Sequence, residues 1–222
     1  MTRTIAHRHQ QAHSGETRLI LLTLAGAAAL LSVALLLGNL FSAPSAAAPS
    51  ASSGRVWGLA AAPINIEIYS DFQCPYCARA DGMLHEIAPA YFDTGKARVT
   101  YHYFAFIGDE SRWAANAAEC AARQGKFWEF SNLLFTHQAG ENAGAFIPGN
   151  LKRLAQGLNL AQPAFASCVD GNQYAPVVQQ DTLEGKARGV NSTPTFFVNG
   201  RMLQGVQTSA MFTAMLDTLQ GK

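Results

Sequence analysis

The sequence is poor in charged side chains and carries no excess of either sign. Asp, Glu, Lys and Arg make up 14% of its 222 residues, and the formal net charge is +1. A protein that binds nucleic acid usually carries a basic surplus or a basic stripe, and no run of Lys and Arg occurs after Arg18. We therefore expect no nucleic-acid partner. The length suits little more than one typical domain.

The shortage of charge is greatest in one stretch, because no ionisable side chain occurs from Leu19 to Gly54. Within it, residues 19–41 read LILLTLAGAAALLSVALLLGNLF. A helix needs about 20 apolar residues to cross a hydrocarbon core of about 30 Å. Arginines precede this run within residues 1–18, and positive flanks stay in the cytoplasm. The pattern predicts a cytoplasmic tail (1–18), a single transmembrane anchor (19–41) and an external remainder.

A cleaved signal peptide is the alternative, since residues 43–48 contain small residues with the spacing that signal peptidases cut. Signal-peptide apolar regions span about 7–15 residues, and this one is longer, which favours the anchor. Either interpretation delivers the cysteines to an oxidising compartment outside the cytoplasmic membrane, such as the periplasm. Residues 42–54 are rich in Ala, Ser and Pro and predict a flexible linker.

Residues 55–222 predict one α/β domain with a helical insertion. Short apolar runs read as strands, and Asn199-Gly200 favours a hairpin because both residues accept the positive φ of a type I′ turn. A punctuated helical tract at about 110–188 is the insertion. The expected elements are strands at Ile64–Tyr69, Ala97–Phe106, Thr195–Val198 and Arg201–Gln204, and helices at Cys77–Phe92 and Ser209–Leu219.

The segment SDFQCPYC (residues 70–77) places two cysteines where a strand ends and a helix begins. A helix N-terminus presents unpaired N–H groups and a partial positive charge, which would stabilise Cys74 as the thiolate that attacks disulfides. Pro75 suits the first helical turn, and Cys77 lies one turn later, where it could resolve a mixed disulfide. Half of a zinc site is the alternative, but no second CxxC or His pair accompanies it. The spacing favours a redox pair and no metal.

The segment VNSTPTFFVNG (190–200) puts Pro194 directly before a strand, a place that an ordinary strand start also allows. Together, the CPYC segment, this proline and the position of the insertion resemble the DsbA-like family of thioredoxin-fold enzymes over roughly residues 64–219. The resemblance implies a thioredoxin fold with an inserted helical domain. It also implies a cis bond that faces the cysteines and exposes the backbone of Thr193 to an extended substrate strand. Pro75 and Tyr76 would modulate the redox couple.

The resemblance gives a role to Glu67, because the family often carries a buried acid just below the active-site loop. There Glu67 would exchange a proton with Cys77. The alternative is a strand-edge glutamate that faces water. The apolar neighbours Ile66 and Ile68 favour burial, although the stretch from Glu67 to Cys74 is one residue longer than in the best-known DsbA enzymes.

The remaining two cysteines, Cys120 and Cys168, both fall in the helical tract. The four cysteines allow three pairings, and only the pairing of 74 with 77 and of 120 with 168 preserves the CxxC couple. A structural disulfide within the insertion is the simplest use of the second pair. The alternative is a shuttle that passes electrons between the two pairs.

These observations favour a membrane-anchored disulfide oxidase that needs no cofactor. It would donate the Cys74–Cys77 disulfide to reduced secreted or envelope proteins. A quinone-linked membrane partner, DsbB-like or vitamin K epoxide reductase-like, would reoxidise it. An envelope reductase or isomerase is the nearest alternative, since Tyr76 supplies less stabilisation to a thiolate than the histidine of strongly oxidising relatives. A thioredoxin-scaffold chaperone or metal carrier is a more distant one, because Met and His clusters are missing.

Overall fold

The computed structural model describes residues 52–220, and those residues form a six-stranded mixed sheet with helices on it. The predicted tail, the predicted anchor and most of the predicted linker lie outside the described residues. In the part of the chain from 52 to 220, no helix is both long and apolar enough to cross a membrane. The strands are β1 (Ser52–Ser53), β2 (Val56–Trp57), β3 (Ile64–Ser70), β4 (Ala97–Tyr103), β5 (Thr195–Val198) and β6 (Arg201–Gln204).

The helices fall into two groups, one belonging to the sheet and one to the insertion. Those of the first group are α1 (Pro75–Tyr91) and α7 (Ser209–Gln220). The insertion contributes α2 (Asp109–Ala122), α3 (Phe127–Thr136), α4 (Pro148–Leu154), α5 (Gln162–Asp170) and α6 (Ala175–Ala187), with a 3-10 turn at Ala155–Gly157. The chain order confirms the thioredoxin-like α/β fold with a helical insertion.

The strands lie in the order β1-β2-β4-β3-β5-β6, which puts β3 at the centre of the sheet. β3 pairs in parallel with β4 and antiparallel with β5. Because side chains alternate along a strand, the isoleucines of β3 enter one face of the sheet and Glu67 and Tyr69 enter the other. The first face is the main core, where the isoleucines pack with Cys77 and the apolar side of α1. A smaller cluster on the second face is formed by Tyr69, Phe104, Val190 and Phe197.

The hairpin prediction is confirmed. β5 and β6 have the predicted bounds, and Asn199 and Gly200 take φ values of 47° and 81°. The second strand is shorter than predicted, since β4 ends at Tyr103 and not at Phe106. The chain leaves the sheet there because the N–H groups of Phe106 and Ile107 donate to the Asp71 carboxylate instead of to a neighbouring strand.

Two short strands at the sheet edge were not predicted. β2 pairs antiparallel with β4, with Val56 opposite Thr100, and β1 pairs with β2. β1 falls inside the predicted linker (42–54), so the end of that segment is a strand. Strands of two residues are too short for an alternating pattern, so the sequence carried no signal for them.

Candidate active site

Cys74 lies at the junction between β3 and α1, where it is the N-cap residue of the helix. Pro75 begins the helix, a position at which its missing N–H costs no hydrogen bond. The backbone N–H groups of Cys77 and Ala78 donate to the Cys74 carbonyl oxygen. Both active-site cysteines are free thiols, and Cys77 is completely buried. The structure therefore places Cys74 at the N-terminus of α1 and Cys77 within the first turn of the same helix.

The two thiols have pKa values that move in opposite directions. A hydrogen bond from the Cys77 thiol lowers the pKa of Cys74 to about 6, and the backbone N–H groups of Tyr76 and Cys77 act in the same direction. Burial raises the pKa of Cys77 well above its ordinary value, and the neighbouring Cys74 raises it further. At neutral pH the pair is thus a thiolate at Cys74 beside a thiol at Cys77. The thiolate is the nucleophilic form of cysteine.

The loop before β5 faces this thiolate. The Thr193–Pro194 bond is cis, and the Thr193 carbonyl oxygen lies 3.5 Å from the Cys74 sulfur. A surface cleft opens at this point, and Cys74, Thr193, Tyr76 and Phe106 are among its lining residues. Tyr76 and Phe106 are both exposed large hydrophobic side chains. The cleft therefore offers apolar surface beside the reactive sulfur.

Tyr76 makes no described contact with the Cys74 sulfur through its side chain. The residue is 53% exposed, and the Arg79 guanidinium lies 4.6 Å from the centroid of its ring. Cations over an aromatic face are attracted by the ring quadrupole. The Tyr76 side chain therefore projects into the cleft and adds no donor to the thiolate.

Asp71 anchors the active-site loop to the insertion. Its carboxylate accepts hydrogen bonds from the Ser111 hydroxyl at 2.6 Å, from the Gln73 N–H at 2.9 Å and from the Phe106 N–H at 3.0 Å. The Gln73 amide in turn donates to the Ser111 hydroxyl. Burial raises the pKa of Asp71. This network fixes the backbone on the N-terminal side of Cys74.

Gln138, two residues after the end of α3, forms a second link between the insertion and the loop. Its amide nitrogen donates to the carbonyl oxygens of Phe72 at 2.7 Å and Cys74 at 3.1 Å. Sequence reasoning missed Gln138 and Ser111, because both are distant from the cysteines along the chain and belong to no motif.

The role predicted for Glu67 is wrong. The Glu67 carboxylate pairs with the Arg188 guanidinium at 2.5 and 3.1 Å, and this hydrogen bonding lowers the pKa of Glu67. It lies on the face of β3 opposite to Cys77, because Ile66 and Ile68 occupy the core face. One extra residue between Glu67 and Cys74 reverses the face on which the side chain emerges. The feature of the sequence that indicated this difference was the length of the stretch from Glu67 to Cys74.

Cys120 and Cys168 form a disulfide that joins α2 to α5, with a Cα–Cα distance of 6.0 Å. Both residues are buried, and both pack in the main core. The structure therefore separates the cysteines into a bonded pair inside the insertion and a free pair at the helix N-terminus. Among residues 52–220, no three or more His, Cys, Asp and Glu side chains are grouped so that they could hold a metal ion.

Comparisons with solved structures agree with this fold. Oxidised BdbD of Bacillus subtilis is 23% identical with a TM-score of 0.70, over 78% of this chain and 96% of that one. DsbA of Chlamydia trachomatis is 20% identical with a TM-score of 0.69, over 81% of this chain and 98% of that one. Wolbachia pipientis α-DsbA1 is 24% identical with a TM-score of 0.67, over 75% and 90%.

Comparisons of sequence find similarity to a part of longer proteins that are named as antiporters. The Na(+)/H(+) antiporter NhaA 3 of Salinispora tropica is 36% identical over 152 residues, which are 68% of this chain. The chain spans only 22% of that protein's length. For the antiporter NhaA of Herminiimonas arsenicoxydans the identity is 33% over 158 residues, or 24% of its length. The similarity therefore reaches one part of a much longer protein.

The family profile described as Thioredoxin matches residues 50–218, which include both cysteine pairs and the Thr193–Pro194 loop. The profile covers most of the chain, and the similar structures include BdbD and the DsbA proteins. The chain therefore belongs to the thioredoxin family, and its fold is similar to the folds of BdbD and the DsbA proteins.

Proposed function

We propose that the chain is a protein disulfide oxidase that donates the Cys74–Cys77 disulfide to reduced proteins outside the cytoplasm. The observation that carries the proposal is the pairing of a thiol of low pKa with a buried thiol of high pKa, next to Thr193 and an open cleft. A cysteine whose thiolate is stable is a good leaving group in disulfide exchange. A stable Cys74 thiolate therefore favours release of the disulfide to a substrate.

The reaction takes two exchange steps in this proposal. A substrate thiolate attacks the Cys74 sulfur, the Cys74–Cys77 bond breaks, and the electron pair remains on Cys77. A second substrate thiolate then attacks the substrate sulfur of the mixed disulfide, and Cys74 leaves as a thiolate. The substrate is oxidised by two electrons and loses two protons. One proton ends on Cys77, and the other enters solvent.

The cleft supports an extended protein segment as the substrate. Thr193 and the exposed rings of Tyr76 and Phe106 line it beside Cys74. A backbone that runs along Thr193 would bring a substrate cysteine to the Cys74 sulfur, in the manner of strand addition to an exposed edge. The apolar rings suit unfolded proteins, whose cysteines are accompanied by exposed apolar side chains.

Anchoring and reoxidation complete the proposal. The apolar run at residues 19–41 would hold the domain at the external face of the cytoplasmic membrane, with the tail inside. A quinone-linked membrane protein, DsbB-like or vitamin K epoxide reductase-like, would then accept the two electrons. Secreted or envelope proteins with reduced cysteines would be the substrates.

The test is the reduction potential of the Cys74–Cys77 couple in the full chain, measured against glutathione. We expect a value between about −270 mV, that of thioredoxin, and about −120 mV, that of DsbA, nearer the oxidising end. The chain should also oxidise a reduced, unfolded protein in the absence of other oxidants. A potential at or below that of thioredoxin would assign the chain to the reductases.

A further inference from the structure

Cys77 needs a group that stabilises its thiolate while the Cys74–Cys77 bond breaks. The sulfur is completely buried, and burial raises the pKa of Cys77 well above its ordinary value. A buried thiolate without hydrogen-bond donors is costly. The carboxylate expected to assist, that of Glu67, lies on the other face of the sheet. The Asp71 N–H, 3.5 Å from the Cys77 sulfur, is the one hydrogen bond to it that residues 52–220 provide.

Two buried hydroxyl groups lie on the same sheet face as Cys77. The hydroxyl oxygens of Ser70 and Tyr101 are fully enclosed, and within residues 52–220 neither has a hydrogen-bond partner. Tyr101 lies opposite Ile68 in the parallel pairing of β3 and β4, and Ser70 is two residues further along β3 on the same face. The two side chains are therefore diagonal neighbours beneath α1.

Ser70 lies next to the Cys77 sulfur, because the N–H of the following residue, Asp71, is 3.5 Å from that sulfur. Burial raises the pKa of both Cys77 and Tyr101, and the Ser70 hydroxyl lowers both. The Tyr101 ring is held in place by stacking on Phe72, with ring centroids 5.3 Å apart and planes inclined by 12°. Buried hydroxyl groups normally form hydrogen bonds. Two hydroxyl groups beside a reactive sulfur that have no partner within residues 52–220 therefore call for a functional explanation.

The other acids near α1 are not suited to the task. The Asp71 carboxylate already accepts four hydrogen bonds, from the Ser111 hydroxyl and three backbone N–H groups. Asp81, one turn after Cys77 on α1, has His85 as its neighbour at 3.7 Å, and burial alone perturbs its pKa. Glu67 is engaged with Arg188. With these acids set aside, the Ser70 and Tyr101 hydroxyl groups are the side-chain groups left to stabilise the Cys77 thiolate.

We propose that Ser70 and Tyr101 form a hydrogen-bond relay that stabilises the Cys77 thiolate during disulfide exchange. Ser70 donates to the Cys77 sulfur as the Cys74–Cys77 bond breaks, and Tyr101 donates to the Ser70 oxygen. No bond to either hydroxyl oxygen is broken in the step. The electron pair on Cys77 comes from the disulfide, and the proton that Cys77 later takes up comes from the substrate thiol. The inference rests on the proposed function and assigns positioning roles to both residues.

The relay should affect only the step in which Cys77 reacts, so the rates of the two exchange steps can be compared to test it. In the reverse reaction, the Cys74 thiolate attacks oxidised glutathione, and Cys77 then resolves the mixed disulfide. Ser70→Ala should slow the resolution about tenfold, the factor expected for the loss of one hydrogen bond to a charged group. Tyr101→Phe should slow it about threefold. The first step should keep its rate in both variants, so the glutathione adduct of Cys74 should accumulate.

Two matched variants provide controls. Ser131→Ala in α3 removes another fully buried hydroxyl without a partner in the described chain, and Tyr103→Phe removes the next tyrosine on the same face of β4. Both should resolve the adduct within twofold of the unmodified rate, measured by acid quench and mass spectrometry of the full chain. Unchanged resolution in Ser70→Ala and Tyr101→Phe would overturn the relay, as would equal slowing of both steps. If the oxidised, unmodified chain does not transfer its disulfide to a reduced, unfolded protein, the proposed function fails instead.

Discussion

The two cysteine pairs differ in chemistry although their burial is alike. The exposures are 7% and 0% for Cys74 and Cys77, and 2% and 7% for Cys120 and Cys168. Burial by itself therefore does not explain why one pair consists of free thiols of opposite pKa and the other is a disulfide within the core. The difference lies in the backbone around them. Cys74 caps a helix and faces Thr193 across a cleft, whereas Cys120 and Cys168 lie inside the helices α2 and α5.

Replacing the two active-site cysteines tests whether this pair carries the disulfide transfer, and it should have the largest effect. Cys74→Ser should lower the rate of disulfide transfer by more than about 1,000-fold, because no other thiolate faces the cleft. Cys77→Ser should instead trap the substrate as a mixed disulfide on Cys74, since the resolving thiol is gone. Transfer to a reduced, unfolded protein measures the first effect, and non-reducing electrophoresis measures the second. Adducts on Cys77 in the Cys74→Ser variant would contradict the assignment of the nucleophile.

Removing the other pair should affect stability and leave transfer intact. Cys120 and Cys168 are 48 residues apart, and closing a loop of that length restricts the unfolded chain by about 4 kcal/mol in the chain-entropy model. The double variant Cys120→Ala/Cys168→Ala should therefore unfold at lower denaturant concentration than the unmodified chain. Its transfer rate, measured at a temperature where it is folded, should stay within twofold. A large loss of turnover under those conditions would favour an electron shuttle between the pairs.

Asp81 shows how burial changes the pKa of a side chain that does not lie at a helix N-terminus. Burial raises the pKa of Asp81 to about 7. A carboxyl with a raised folded-state pKa contributes its full stability below the unfolded pKa of about 4, and this contribution is lost as pH rises through about 7. Asp81→Asn should therefore raise the melting temperature at pH 8 by on the order of 5 °C and leave it unchanged near pH 4.

The matched control for that variant is Asp93→Asn. The Asp93 carboxylate accepts a hydrogen bond from the Trp57 ring N–H at an exposed position. It should shift the melting temperature by less than about 2 °C at either pH, since exposed hydrogen bonds contribute little. A gain for Asp81→Asn that is the same at pH 4 and pH 8 would show that the Asp81 carboxyl is not the titrating group.

Replacing Tyr76, one of the two residues between the cysteines, should have the smallest effect. The Tyr76 side chain projects into the cleft and gives no hydrogen bond to Cys74, so Tyr76→His adds a donor where there was none. If the added donor stabilises the reduced form by about 1.4 kcal/mol, the reduction potential rises by about 30 mV. Equilibration with glutathione would measure the change, with Tyr76→Phe as the control that alters only the hydroxyl. A fall in potential for Tyr76→His would reverse the direction assigned to this position.

Much of the fold could be predicted because its signals are local. The helix start at Cys74-Pro75 and the Asn199-Gly200 turn each depend on a few adjacent residues, and both are found where the sequence placed them. The Cys120–Cys168 disulfide followed from the number of cysteines once the CxxC couple was set aside. These features did not require knowledge of how distant segments meet.

The parts that could not be predicted depend on register and on distant contacts. Glu67 was misassigned because one residue of loop length decides which face of β3 it occupies. Gln138 and Ser111 reach the active-site loop from the insertion, across sequence distances of 64 and 40 residues to Cys74 and Asp71. Only the folded chain brings them together. The same holds for Ser70 and Tyr101, whose proximity arises from the parallel pairing of β3 and β4.

The central claim is that the helix N-terminus and its neighbours make Cys74 the reactive thiolate while Cys77 stays protonated. The most direct test is alkylation of the reduced full chain by iodoacetamide across a pH series, with modification at each cysteine measured by mass spectrometry. We expect Cys74 to react with a midpoint near pH 6, where its pKa lies, and Cys77 to remain unmodified up to pH 9. A midpoint for Cys74 near the ordinary cysteine value of about 8.5, or faster modification of Cys77, would contradict the account.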